Sequence, residues 1–184
     1  MNFSQAIKSS LFEKYATFKG RACRAEWWYF NLFIILVAIA VSAVVAFATF
    51  GSVDWEYVAT LNETQATEFI LDTNFGTATK LTSVILALIF FIPSMSVTIR
   101  RLQDLDASYY WVAPYFLANL TGIWMALFPS IEPSAVRLDA AGNLIFIIYC
   151  LAFLRPGGYE DNRFGPNPLE ELSLIHISEP TRPG

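Results

Sequence analysis

Two uncharged apolar runs, Trp27–Phe50 and Leu81–Ile99, dominate the chain, and a third, Tyr109–Phe128, is broken only by neutral polar residues. Each approaches the roughly 20 residues that carry a helix across the hydrocarbon core of a bilayer. The pattern therefore predicts membrane-spanning helices over about 28–50, 81–99 and 109–128. A fourth segment, 140–154, is shorter and contains Asn143, so it either crosses by recruiting its flanks or stays re-entrant, leaving three spans. Ahead of the first run, Phe3, Ile7, Leu11 and Tyr15 recur four apart with Lys8 and Lys14 between them, which predicts a short amphipathic helix. Such a helix lies in the membrane interface or packs on the protein's own edge, and the pattern alone fits both.

The reading is an all-α integral membrane protein, with four transmembrane helices, an N-terminal interfacial helix and both termini cytoplasmic. It divides the chain into an amphipathic segment, 1–20, and one polytopic domain, 21–169. Composition agrees: 55% of residues are hydrophobic and 15% charged, against about 25% charged in soluble domains. A soluble all-α domain would have to hide three long stretches that lack a polar face. The basic residues Lys8, Lys14, Lys19, Arg21 and Arg24 precede the first run, Arg100 and Arg101 follow the second, and Arg155 and Arg163 follow the fourth. The intervening 51–80 loop is acidic, so the charge alternates as the positive-inside rule expects.

The two cysteines, Cys23 and Cys150, form no disulfide framework and read as structural thiols. Residues 173–184 (SLIHISEPTRPG) look like a translated cloning scar, and they hold His176, the sole histidine. No cofactor or metal-ligand spacing, phosphate-binding loop or nucleophile–base pair is present, so an enzyme is not expected. Nucleic-acid binding is not expected either, because the basic residues sit beside membrane helices.

The polar residues that stand out form three clusters at membrane edges: FKGRACRAEWW (Phe18–Trp28), RRLQDLD (Arg100–Asp106) and RPGGYEDNRFGPNP (Arg155–Pro168). Arg21, Arg24, Glu26, Arg100, Arg101, Asp104 and Arg163 are read as a candidate cytoplasmic polar network. Trp27, Trp28, Tyr109, Tyr110 and Trp111 are read as interfacial anchors. Pro93, Pro114 and Asn119 mark kinked or polar points within the spans.

These clusters resemble the bacterial inner-membrane family catalogued as domain of unknown function 805. Its Gly-Arg-Ala-x-Arg-x-Glu-[Tyr/Phe]-Trp-like entrance corresponds to Gly20, Arg21, Ala22, Arg24, Glu26, Trp27 and Trp28. Its Arg-Arg-Leu-His-Asp signature corresponds to Arg100, Arg101, Leu102 and Asp104, with Gln103 in place of histidine. Its closing Asn-Arg-[Phe/Tyr]-Gly-x-[Asp/Asn]-Pro pattern corresponds to Asn162, Arg163, Phe164, Gly165, Asn167 and Pro168. The resemblance implies a multi-pass protein of the bacterial inner membrane but no defined activity. The function expected from the sequence is a structural or interaction role, its Arg/Asp/Glu surface meeting anionic lipid headgroups, a membrane-protein partner or a second copy. An oligomeric transporter or channel component is the alternative.

Overall fold

The computed structural model describes residues 1–128 and 133–169. All of the regular elements among them are helical. The suspected foreign tail, 173–184, lies outside the described residues.

The chain opens with α1 (Phe3–Lys8), started by an Asn2/Gln5 capping box and continued by one wide turn over Ser9–Glu13. The side buried there is Ala6, Ser9 and Ser10, while Phe3, Phe12 and Tyr15 stay exposed. Helix α2 (Arg24–Thr49) crosses the molecule in one piece. Beyond it, the acidic loop holds a single turn, α3 (Trp55–Val58), and α4 (Glu63–Asp72), which Asn62 and Gln65 cap. Helix α5 (Asn74–Asp104) returns antiparallel to α2, so Trp27 meets Thr98 and Phe33 meets Phe90.

A Schellman ending closes α5: the Ala107 N–H reaches the Leu102 carbonyl and the Asp106 N–H reaches that of Gln103. Asp106 takes the left-handed conformation, φ 51°, a place usually filled by glycine. Helices α6 (Val112–Leu127) and α7 (Pro133–Phe153) then form an antiparallel pair beside α5. In this pair Gly142 lies against Thr121 and Ala118, and Tyr149 against Tyr115.

Three helices among the described residues, not four, are long and apolar enough to cross a membrane: Arg24–Ser52, Asn74–Asp104 and Val136–Phe153. This corrects the four-span expectation. The third apolar run spends Tyr109–Trp111 on a 3₁₀ turn and keeps 16 residues of α-helix. At 1.5 Å per residue that is about 24 Å, short of a hydrocarbon core about 30 Å thick. Conversely, the weak fourth segment gains length upstream, because α7 carries Arg137 and Asp139 within its first turns and stays helical through them.

The bilayer is required by what α2 leaves uncovered. Ile39, Val44 and Phe47 are 62%, 70% and 91% exposed, on a helix whose apolar window is unburied and suited to lipid. The protein's own core sits at the opposite end, where Trp27, Phe30, Val97, Leu102, Tyr115 and Phe153 are buried together. Trp27 packs edge-on against Phe153, centroids 4.9 Å apart, and its indole N–H donates to Thr98 Oγ1 at 3.1 Å.

Pro93 lies buried inside α5 without ending it. A proline cannot donate to the carbonyl four residues back, here that of Ile89. The Tyr15 hydroxyl donates to that carbonyl instead, at 3.2 Å. Pro114 occupies the first turn of α6, where amides have no intrahelical partner in any case. Asn119 donates to the Tyr115 carbonyl at 2.8 Å.

Candidate functional site

The three motif clusters converge on one end of the bundle, because α2 starts there and α5 and α7 finish there. Gly20, at φ +99°, turns the chain into α2, a conformation that costs glycine little. The Ala22 amide then bonds the Arg100 carbonyl at 3.1 Å, stitching the first motif to the second. Gln103 adds another stitch, its amide donating to the Phe18 carbonyl at 3.0 Å.

Arg21 is the hub. Its Nε donates to Asp104 Oδ1 at 2.9 Å, Nη1 to the Glu160 carbonyl at 2.8 Å, and Nη2 to the Gly158 carbonyl. Asp104 also accepts from Arg101 Nη1, and Arg101 Nη2 reaches the carbonyls of Phe153 and Arg155. A second ion pair stands alongside: Arg100 Nη1 meets Glu26 Oε1 at 2.7 Å, and the Ser9 hydroxyl donates to the same oxygen at 3.0 Å. Gly157 passes so close to Asp104 that an added Cβ would overlap the carboxylate. The closing motif holds its own shape through paired backbone bonds between Asn162 and Gly165, and Asn162 also donates to the Gln103 carbonyl at 2.9 Å.

Arg21, Glu26, Arg100, Arg101 and Asp104 are each no more than 5% exposed. The expected cytoplasmic surface for lipid headgroups or a partner is therefore corrected: these groups form internal salt bridges and face one another. The reason is the cost of a lone charge. Packing the helix ends around Trp27 and Phe153 removes these side chains from water, and a desolvated charge is tolerated only when paired and hydrogen-bonded.

Two network candidates stand apart. Arg24 is exposed and donates to the Leu154 carbonyl at 3.1 Å. Arg163 pairs with Asp106 at 3.1 Å where both side chains are more than half exposed. Of the proposed anchors, Trp27 is wholly buried, Trp28 is partly covered, and Tyr110 and Trp111 are exposed. Cys23 is buried beside the network, and burial pushes its thiol pKa up.

Below this lock, between α2, α5, α6 and α7, lies a cleft of about 310 Å³. Its walls include Ile34, Phe90, Phe91 and Phe146, with Asn119 and Asp139 among the few polar groups. Sequence reasoning singled out Asn119 but missed Asp139, which falls just outside the apolar run that defined the fourth segment.

No curated protein and no solved structure matches the chain. Residues 15–166 match the family described as "Protein of unknown function (DUF805)". The match spans most of the chain and contains the first two motifs of the lock and the third as far as residue 166, so this membrane protein belongs to the DUF805 family.

Proposed function

We propose that the chain is a ligand-binding helix bundle of the bacterial inner membrane, in which the three motifs lock the helix ends from inside and the cleft receives a small molecule from the bilayer. The cleft carries this reading. It is largely apolar, with a few convergent polar side chains, the make-up of small-molecule sites. The inner-membrane placement rests on the resemblance of the motifs to the family.

Binding fits the site better than catalysis. Glu26 and Asp104 are both buried and engaged by arginines inside the lock, so neither is presented to a substrate. The neutral polar groups of the cleft form no nucleophile–base pair.

Gly122 offers the test, because it lines the cleft and a Cβ added there meets nothing within 4 Å. A leucine here adds bulk at the lining of the site without its Cβ meeting another atom of the protein. The purified full chain in lipid nanodiscs should bind a compact apolar probe such as neopentylbenzene by equilibrium dialysis. Gly122→Leu should weaken that binding about tenfold, a loss of about 1.4 kcal/mol, because the added side chain takes up part of a space of only about 310 Å³. Unchanged binding by a variant with unaltered thermal unfolding would overturn the reading.

A further inference from the structure

Resting on that reading, the chemistry of the cleft narrows its ligand. Asp139 is the sole charged side chain among the lining residues. Its polar contact is Asn143, whose Nδ2 donates to the Asp139 carboxylate at 3.0 Å and to its backbone carbonyl at 3.1 Å. The nearest basic residue in sequence, Arg137, is exposed two positions away, a spacing at which helical side chains do not face each other.

The amide donors of the cleft are already engaged. Asn143 Nδ2 is turned to Asp139, and Asn119 Nδ2 to the Tyr115 carbonyl. The polar lining holds one carboxylate, two amides and the hydroxyls of Ser94 and Tyr115, so Asp139 supplies its only charge. Phe90, Phe91 and Phe146 also line the space. A single carboxylate in an otherwise apolar, aromatic-lined space suits an organic cation, whose charge meets the carboxylate while its body meets the rings. An anion would meet the Asp139 carboxylate with no basic side chain in the lining to offset it. A hard metal ion would want six or more oxygen ligands, and no cluster of three acidic, histidine or cysteine side chains suited to a metal occurs among the described residues.

We propose that the cleft binds a compact lipophilic ammonium ion, with its charge against Asp139 and its apolar body against Phe90, Phe91 and Phe146. At about 310 Å³ the space lies at the small end of ligand sites, which run from about 300 to 1,000 Å³.

The test compares benzyltrimethylammonium, its neutral carbon isostere neopentylbenzene, and benzenesulfonate. Each is dialysed against the full chain in phosphatidylcholine nanodiscs, with the signal from empty discs subtracted. The cation should bind most tightly. Asp139→Asn should weaken it about tenfold or more while leaving neopentylbenzene binding unchanged, which also shows that the variant is folded; Asp139→Glu should keep the preference for the cation. Equal binding of cation and isostere, or a cation affinity untouched in Asp139→Asn, would overturn charge selection, while loss of neopentylbenzene binding in Gly122→Leu would still uphold the cleft as the site. Failure of every probe to bind, with Gly122→Leu silent, would overturn both.

Discussion

Asp104 shows at the scale of one residue why the motif arginines turn inward. A single carboxylate meets Arg21 through one oxygen and Arg101 through the other, and it is 3% exposed. Removing its charge would leave two buried guanidinium groups facing each other. Asp104→Asn should therefore cost about 3–5 kcal/mol of stability, the usual consequence of breaking a buried pair from one side. Asp106→Asn makes the matching control two positions on. Asp106 pairs with Arg163 at the surface, asparagine accepts the left-handed backbone found there, and an exposed pair is worth about 0–1 kcal/mol. Chemical unfolding of both variants in detergent micelles checks the contrast, and equal effects would place Asp104 at the surface with Asp106. The sequence already names Arg21, Arg101 and Asp104 as one group. It does not show which way they face, because the groups that meet are 83 residues apart or lie on carbonyls of the chain after α7.

Among the elements, α2 and α5 are legible from apolar length and α1 from its periodicity, whereas the shortness of α6 is not. Of the stripe Phe3, Ile7, Leu11 and Tyr15, Leu11 packs against the core, while Ala6, Ser9 and Ser10 are the buried residues of α1 and its following turn. Ser9 is drawn in by Glu26, a tertiary partner that helical periodicity cannot register. Tyr15 has a different task, completing the hydrogen bonding of α5 at Pro93. Tyr15→Phe should cost about 1 kcal/mol, the net worth of an ordinary hydrogen bond. In a Pro93→Ala background, where residue 93 again supplies an amide to the Ile89 carbonyl, the same change should cost less than half as much. A double-mutant cycle on unfolding free energies measures this coupling. Additive effects would mean that Tyr15 contributes only through packing.

For the molecule as a whole, membrane residence was legible and the count of crossings was not. Uninterrupted apolar length overstated the third run, whose first residues form a 3₁₀ turn, and understated the fourth, whose helix runs through Arg137 and Asp139. Hydropathy marks where oil is tolerated, while helix ends are set by turns, caps and neighbours. The same limit hid the cleft, which exists only once α2, α5, α6 and α7 stand together.

The central claim is that the motif charges are an internal lock, and the Glu26–Arg100 pair tests it most cleanly. These residues meet at 2.7 Å and are no more than 2% exposed. A double-mutant cycle with Glu26→Gln and Arg100→Met, read as unfolding free energies in micelles, isolates their interaction. An internal pair predicts single losses of about 3–5 kcal/mol, and a double variant far more stable than their sum. Single losses below about 1 kcal/mol with no coupling are the mark of an exposed pair, and would contradict the lock.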